Sequence, residues 1–417
     1  MGAVETVEDV RELTSPAGRA LLALLAGDAA AGPGGDPLAL GQRLRREGHE
    51  PRLVALAMTQ DRLRRKAVAK LGPRGRELLL TPAGVEQATR AAVAAAHAAR
   101  YAGAGVRRVA DLGCGIGADA LALADAGLDV LAVDADPLTA AVATANLAGA
   151  GPGRASVRCA DLTAGVVDEL GPGDGAWFDP ARRTARGRRL FDPEATSPPL
   201  SFVLATAGRV PATGAKLAPG LPHELVPAGA EAQWTSVAGD VVECALWCGP
   251  LARPGVRRSA RLLAADGAAH EVDDRDSPPA AVGGVGAWLH EPDGAVVRAG
   301  LVGAVAERVG GRLVDETIAY VTTDEPATTP LASAFAVHDI LPFGLKPLRA
   351  YLRARDVGPL TVKKRGTAVD PDELRRRLGL RGSRAATLVL TRVAGRQSVL
   401  VVSPAGTAAG SSAPAAG

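Results

Sequence analysis

The stretch "DLGCGIGADALALADAGLDVLAVDADP", residues 111–137, constrains the fold more than any other part of this sequence. Gly113, Gly115 and Gly117 separate the end of an apolar run from an Ala- and Leu-rich segment, and a second apolar run ends at Asp134. Glycines allow a tight turn and a close approach of the backbone to a ligand, and the N-terminus of the next helix offers unpaired amide groups. The stretch therefore predicts a strand, a ligand-binding loop, a helix and a second strand.

The surrounding chain predicts an α/β fold built on this unit. From Val106 to the run "GAKLAP", short apolar runs alternate with helical segments, which is typical of a parallel, doubly wound sheet. Two β-rich runs around residues 239–240 predict an antiparallel hairpin at the end of the sheet. Thr81 and Pro82 are the residue types of a helix start, and we expect one helix to run from there to Tyr101.

A chain of 417 residues exceeds what one hydrophobic core usually supports, so we expect several domains. The predicted parts are a helical N-terminal domain, a larger α/β domain, a small α+β domain and a disordered tail, at residues 1–100, 101–330, 331–403 and 404–417. The tail lacks apolar side chains large enough to pack, which is why we expect it to be disordered.

Composition excludes some classes of protein. The 48 basic and 45 acidic residues nearly balance, so the total charge of +3 predicts no general attraction to nucleic acid. The four cysteines form no CxxC pair and have no histidine at metal-ligand spacing, so we expect no metal site, no disulfide framework and a cytoplasmic location. The longest apolar stretch near the N-terminus, "ALLALLAG", is too short to span a bilayer, so no membrane association is expected.

The acidic strand ends indicate which ligand the glycine loop holds. Asp111, at the end of the first strand, would repel a pyrophosphate and attract a cationic amino acid group such as that of S-adenosylmethionine. Gly113, Gly115 and Ala118 also satisfy the G-x-G-x-x-A pattern, so spacing alone leaves a nicotinamide dinucleotide open. Asp134 is placed to accept both ribose hydroxyls, and Asp161 to meet the adenine amino group.

Several further residues border the same predicted site. The full set of expected cofactor-binding residues is Asp111, Gly113, Cys114, Gly115, Gly117, Asp134, Ala135, Asp161 and Leu162.

The residues from "VADLGCGIGADALALADAGLDVLAVDADP" onward resemble motifs I and II of the class I methyltransferases, over residues 106–250. The segments "LLLTPAGVEQATR", "WFDPARR", "KLAPGLPHEL", "EPDGAVVRAG" and "LTVKKRG" extend the resemblance to a bacterial group of these enzymes that carries a C-terminal THUMP-like domain. The resemblance implies a Rossmann-like methyltransferase sheet, S-adenosylmethionine as cofactor, and a small α+β THUMP-like domain.

The segment "GAWFDPARR" lies at the carboxyl end of the fourth predicted strand, where open α/β sheets place reacting groups. Asp179 and Pro180 resemble the start of the Asp-Pro-Pro-Tyr motif of nucleic-acid amino methyltransferases, which implies hydrogen bonds to the target. Ala181 and Arg182 depart from that motif, so its stacking aromatic is missing. We expect Arg182 to stack on a base or bind phosphate with Arg183. The alternatives are a turn-capping Asp179 and solvated arginines.

A further wall of the site is expected from the segment that precedes the glycine loop. In trimethylguanosine synthase-like enzymes, which the chain resembles here, a similar segment precedes motif I, and this implies substrate contacts from Thr81, Gln87 and Arg90. The alternative is a surface ion pair between Glu86 and Arg90 at helical spacing.

Residues 346–396 contain 14 basic and only four acidic residues. This local charge predicts RNA binding, with Lys363, Lys364 and Arg365 as expected phosphate contacts, although a solvated basic face is the alternative. The sequence thus predicts an S-adenosylmethionine-dependent methyltransferase that acts on structured RNA, either tRNA or rRNA. The alternatives are a small-molecule methyltransferase and a non-catalytic RNA-binding protein that senses the cofactor. The oligomeric state stays open.

Overall fold

The structure is a computed structural model that describes residues 4–30, 36–181 and 192–405. The chain forms two compact units, residues 1–231 with 244–254, and residues 232–243 with 255–417. Of the tail predicted to be disordered, residues 406–417 lie outside the described residues, and Pro404 is the last residue of a strand.

The first unit begins with helices that pack on the rest of that unit. They are α1 (Val7–Thr14), α2 (Pro16–Ala30), α3 (Pro37–Arg46), α4 (Pro51–Leu71), α5 (Pro82–Gln87) and α6 (Ala91–Gly103). Asp36, Glu50 and Thr81 cap the N-termini of α3, α4 and α5, and proline follows each cap at the first helical turn. Leucines of these helices, including Leu13 and Leu56, belong to the same hydrophobic core as sheet residues such as Val109.

The segment from Thr81 to Tyr101 forms two helices, which differs from the single helix expected. Thr81 does accept a hydrogen bond from the Gly84 amide at 3.0 Å, as a helix cap should. The chain leaves the helix after Gln87 because Thr89 turns inward, where it is buried and hydrogen-bonded. Glu86 and Arg90 therefore do not share a helix, and helical spacing does not pair them.

The first unit contains the predicted parallel sheet. Its strands are β1 (Arg108–Leu112), β2 (Asp129–Asp134), β3 (Ala155–Cys159), β4 (Gly175–Phe178) and β5 (Ala212–Leu217), in the order β3-β2-β1-β4-β5. All four pairings are parallel, and α7 (Ala118–Asp125), α8 (Pro137–Leu147) and α9 (Leu200–Ala207) connect the strands. The carboxyl ends of β1, β2 and β4 thus meet at one edge, where such sheets bind ligands.

The hairpin predicted around residues 239–240 is confirmed. Its strands are β6 (Glu231–Val237) and β7 (Asp240–Trp247), and the turn residues Ala238 and Gly239 have φ angles of 50° and 89°. In the first unit, β7 pairs antiparallel with β5, from Gly214 opposite Trp247 to Leu217 opposite Cys244. In the second unit, β6 pairs parallel with β8 (Arg258–Leu263), which pairs with β9 (Ala269–Asp273).

The second unit also holds a seven-stranded sheet. Its strands are β10 (Trp288–Pro292), β11 (Arg312–Asp315), β12 (Ile318–Thr323), β13 (Ala332–Pro342), β14 (Val357–Lys364), β15 (Arg384–Val393) and β16 (Arg396–Pro404). They lie in the order β11-β12-β10-β13-β16-β15-β14. Its helices are α10 (Gly294–Ala299), α11 (Val302–Val309), α12 (Leu345–Ala354) and α13 (Pro371–Leu378). From β13 to β16, the order of strands and helices is the one predicted. Among the described residues, no helix is both long and apolar enough to cross a membrane.

Candidate active site

The glycine loop after β1 lies directly against the end of β4. Gly113 has a φ of 90°, and a Cβ atom there would lie 2.7 Å from the carbonyl oxygen of Asp179. The Asp179 amide in turn donates to the Leu112 carbonyl at 3.0 Å. Only glycine satisfies both the left-handed backbone and this close approach. The fold therefore brings together the two segments that the sequence singled out.

Asp111 is fully buried at the end of β1, and neither of its carboxylate oxygens has a hydrogen-bond partner among the described residues. Burial raises the pKa of Asp111 well above its usual range, and the nearby Asp119 and Asp179 carboxylates raise it further, against the opposing effect of Lys216. A carboxylate at this depth needs either a proton or a cation. Its environment therefore fits a cationic ligand group.

Asp134 organises the loop from the end of β2. One of its carboxylate oxygens accepts the Gly115 amide at 3.0 Å, and the other accepts the Asp136 amide at 3.0 Å. Burial raises the pKa of Asp134 in spite of these two hydrogen bonds, which lower it. Each oxygen keeps a second lone pair for a ligand hydroxyl. Asp134 thus ties both the loop and the start of α8 to the strand end.

The remaining predicted cofactor residues differ in exposure. Asp161 is exposed, and one of its oxygens accepts both the amide and the hydroxyl of Thr163, at 2.8 Å and 2.7 Å. These hydrogen bonds, the hydroxyl first, lower the pKa of Asp161. Leu162 and Cys114 are buried, whereas Ala135 is exposed. Asp161 therefore stabilises the turn after β3 as an ionised group.

A chain of polar side chains runs inward from Asp179. The Lys216 ammonium at the end of β5 lies 2.5 Å from the Asp179 carboxylate and donates to the Thr89 hydroxyl at 3.0 Å. Thr89 donates to Asp119, whose other oxygen lies 2.8 Å from Nδ1 of His97. Burial acts to raise the pKa of Asp119. The hydrogen bond with His97 and the charge of His97 outweigh this effect, so the pKa of Asp119 is lowered.

No sequence pattern predicts this buried series of polar side chains. Its members lie far apart in the sequence and match no motif. The one available signal was Lys216, because it is one of only six lysines and stands inside an apolar strand, where a charge is rare without a partner. The sequence around His97 does not indicate a role for this residue. The centre of its imidazole ring lies 4.2 Å from the centre of the Trp177 ring in the core.

Helix α5 packs beside the glycine loop. A Cβ atom on Gly84 would lie 2.4 Å from the Ile116 side chain. The buried Asn146 side chain donates to the carbonyls of Ile116 and Leu79, at 2.9 Å and 3.0 Å, and so joins the loop to the chain before α5. Gln87 is exposed near the end of α5. These contacts hold α5 against the loop.

Lys70 of α4 supports α5 from another side. Its ammonium donates to the carbonyls of Val85 and Glu86, at 3.0 Å and 2.5 Å. Burial, followed by the charges of Lys216 and Arg90, lowers the pKa of Lys70 to about 8. Arg90 is half-buried at the start of α6.

Pro180 is buried next to Asp179, whereas Arg182 and Arg183 lie outside the described residues. Within the described ranges, no group of three His, Cys, Asp or Glu side chains is arranged to hold a metal ion.

In the second unit, the three basic residues expected to contact phosphate at the end of β14 all make contacts within the protein. The Lys363 ammonium lies 2.5 Å from the Glu291 carboxylate and 5.2 Å from the centre of the Phe335 ring. Arg365 donates to the carbonyl of residue 319 at 2.5 Å. Lys364 is exposed and donates to the carbonyl of residue 369 at 3.1 Å. The three neighbouring cations therefore point into different environments.

Comparison with known proteins identifies the family. A methyltransferase domain model matches residues 109–184, which include the glycine loop and Asp179. Over 340 residues, the chain is 37% identical to a Mycobacterium tuberculosis protein described as an uncharacterised S-adenosylmethionine-dependent methyltransferase, in strains CDC 1551 and H37Rv. The match covers 79% of this chain and 90% of the relative. The chain belongs to the S-adenosylmethionine-dependent methyltransferases.

The fold of this methyltransferase agrees with that assignment. A crystal structure described as a methyltransferase from Porphyromonas gingivalis W83 has a TM-score of 0.68 and 21% identity, and the match covers 85% of this chain and 91% of that one. A THUMP domain-like model matches residues 332–404, and a domain of unknown function, DUF8688, matches residues 6–67. The predicted fold class and cofactor are confirmed, and the nicotinamide alternative that spacing left open is set aside.

Proposed function

We propose that this methyltransferase transfers a methyl group to a nucleotide of structured RNA, either tRNA or rRNA, in the cytoplasm. The proposal rests on one observation. The region with 14 basic and four acidic residues, 346–396, lies within the THUMP domain-like match at residues 332–404. Because the whole chain has a net charge of only +3, this region concentrates positive charge as RNA-binding domains do. We also propose that the predicted domain boundaries at residues 100, 330 and 403 separate different roles. Residues 101–330 would carry out methyl transfer, and residues 331–403 would hold the RNA.

The exposed basic residues of this region are the proposed phosphate contacts. Those that are exposed and have no ion pair in the described part of the chain are Lys346, Arg353, Lys364, Arg376, Arg381, Arg384 and Arg396. Lys363 and Arg365, which were expected on the same surface, already contact Glu291 and the carbonyl of residue 319. We propose that they reach RNA only by exchanging these contacts.

In the proposed active site, the acidic strand ends hold the cofactor. S-adenosylmethionine supplies an electrophilic methyl group when it is bound. We propose that Asp111 pairs with its cationic amino acid portion, which the unpartnered buried carboxylate fits. We further propose that Asp134 accepts hydrogen bonds from the ribose, and that Asp161 borders the adenine. Cys114, Ala135 and Leu162 complete the proposed pocket around the loop glycines.

The substrate side of the proposed site is formed by Asp179 and its surroundings. Methyl transfer depends chiefly on in-line positioning of the nucleophile, and on a base only where that nucleophile must lose a proton. We propose that the Asp179 carboxylate accepts a hydrogen bond from the nucleophile while Pro180 fixes the turn beside it. We propose that one wall of the substrate site is formed by Thr81, Gln87 and Arg90. We also propose that the RNA backbone or a base is contacted by Arg182 and Arg183.

Asp134→Ala should weaken S-adenosylmethionine binding by about 1–3 kcal/mol, because it removes an acceptor and leaves buried polar groups unpaired. Isothermal titration calorimetry measures the effect. The matched control is Asp136→Ala, which removes the neighbouring cap of α8 and should leave binding nearly unchanged. Equal losses in both variants would assign the effect to the local backbone, not to a ligand contact.

RNA binding should weaken log-linearly with salt, with a slope of roughly −0.7 to −0.9 per neutralised phosphate. Combined charge reversal of Arg353, Arg376 and Arg381 to Glu should therefore flatten the slope by about two to three units. Filter binding with total RNA over a salt series measures it. A matched triple reversal of the exposed Arg45, Arg62 and Lys66, in the first unit, changes net charge equally and should leave the slope unchanged.

The acceptor itself is identified by mass spectrometry of modified nucleosides in RNA from cells with and without the gene. A methylated nucleoside that disappears with the gene supports the proposal. Unchanged nucleosides, together with salt-independent RNA binding, would favour a small-molecule methyltransferase.

A further inference from the structure

Lys216 occupies an unusual position in this methyltransferase. Strands β4 and β5 are parallel neighbours with Phe178 opposite Ala215, so Asp179 and Lys216 follow at adjacent strand ends. The Lys216 side chain is only 4% exposed, whereas that of Asp179 is 25% exposed. The carboxylate is therefore accessible from the edge of the sheet, and the ammonium contacts it from the interior.

Such a buried ammonium is costly unless it is paired and hydrogen-bonded. Here it contacts the Asp179 carboxylate at 2.5 Å and donates to Thr89 at 3.0 Å. Thr89 is itself anchored to Asp119, and Asp119 to His97. The ammonium is thus held by buried, hydrogen-bonded residues of the core, and it holds the carboxylate in turn.

We propose that Lys216 is a positioning residue for methyl transfer, which holds the Asp179 carboxylate in one orientation and in its ionised form at the end of the buried chain through Thr89, Asp119 and His97. The inference rests on the proposed role of Asp179. We propose that Lys216 acts through Asp179 and not on the substrate itself, because only 4% of its side chain is exposed.

The Lys216 ammonium should lower the proton affinity of the Asp179 carboxylate. A nearby cation favours the charged form of a carboxyl group, so the pair keeps Asp179 available as an ionised hydrogen-bond acceptor but makes it a weaker base. Other ionisable groups also act on the pair from the elements packed around it. They are Lys70 on α4, Asp111 on β1, Asp119 on α7 and Asp134 on β2. Arg90, at the N-terminal cap of α6, acts on Lys70, and His97 on α6 acts on Asp119. Lys216 is the buried cation among three buried or half-buried carboxylates, namely Asp111, Asp119 and Asp179.

The first test measures methyl transfer as a function of pH, with total RNA from cells that lack the gene as acceptor. Lys216→Met should lower kcat by about tenfold or more and move the acidic limb of its pH profile upward by about one unit. S-adenosylmethionine affinity should stay within about twofold. Lys216→Arg, which keeps the charge, should leave the limb in place, and Thr89→Val should move it less. Lys66→Met, at an exposed lysine of α4, is the control.

The second test needs no substrate. The carboxyl signal of Asp179 in protein labelled with 13C at aspartate, assigned by its absence in Asp179→Asn, should titrate about one pH unit higher in Lys216→Met. If total RNA accepts no methyl group from the wild type, the RNA proposal fails while this titration still decides the role of Lys216. Lys216→Gln serves the same purpose if the methionine variant does not fold. An unchanged Asp179 titration, or an unchanged kcat, would overturn the proposal.

Discussion

Asp179→Asn should lower the kcat of methyl transfer by roughly 10²- to 10⁴-fold, which is the range of effects for a group that accepts a proton or hydrogen bond in the transition state. Asparagine has nearly the same size and can still accept a hydrogen bond from Lys216, so the fold should be retained. S-adenosylmethionine affinity should change by less than about threefold, because the accessible face of Asp179 is proposed to meet the substrate. Radiolabelled methyl transfer and calorimetry measure the two quantities separately.

The matched control for this prediction is Asp174→Asn. Asp174 immediately precedes the same strand at its opposite, amino end, where it accepts the Gly171 amide at 2.9 Å and lies 3.4 Å from Arg108. Its replacement should affect stability but not kcat. If Asp179→Asn instead reduced cofactor binding and turnover equally, Asp179 would be only the residue that opens the turn after β4.

Asp111→Asn should stabilise the free protein at neutral pH and at the same time weaken S-adenosylmethionine binding by about 1.5–3 kcal/mol, the value of a hydrogen bond to a charged group. Folding raises the pKa of Asp111. The favourable contribution of this group to the free energy of unfolding is therefore fully present below its ordinary pKa, and it is lost as pH rises through the pKa of the folded protein. The gain from the neutral amide should therefore appear at pH 7 and vanish near about pH 4.

Thermal unfolding across this pH range measures the gain, and each kcal/mol should raise Tm by roughly 2–4 °C for a unit of this size. Asp119→Asn is the matched control, because that carboxyl is also buried but its pKa is lowered by hydrogen bonding to His97. Its replacement should destabilise the protein at pH 7. A less stable Asp111→Asn variant, or one that binds the cofactor as the wild type does, would contradict the proposed role of Asp111.

The local features of the site could be predicted from the sequence. Gly113 follows an apolar run and has the left-handed backbone that its residue type permits, and the alternation of short apolar runs with helical segments predicted β1 to β5 correctly. These signals are local, because backbone freedom and hydrophobic periodicity act over a few residues. The family resemblance was carried by the same stretch.

The environment of each charge was decided only by the tertiary structure. Lys363, Lys364 and Arg365 are equivalent in the sequence, yet two of them contact Glu291 and the carbonyl of residue 319 while Lys364 is exposed. The break between α5 and α6 likewise depends on Thr89, whose partners are far away along the chain.

The sequence by itself determined the class of fold, the cofactor and the concentration of basic residues near the C-terminus. Only the tertiary structure decided that the buried Asp111 oxygens have no hydrogen-bond partner in the described part of the protein, that Asp179 is held by Lys216, and that Thr89, Asp119 and His97 lie behind this pair. The physical reason is that the cost of burying a charge depends on which groups the fold places within a few ångströms of it, and residue type and periodicity do not contain that information.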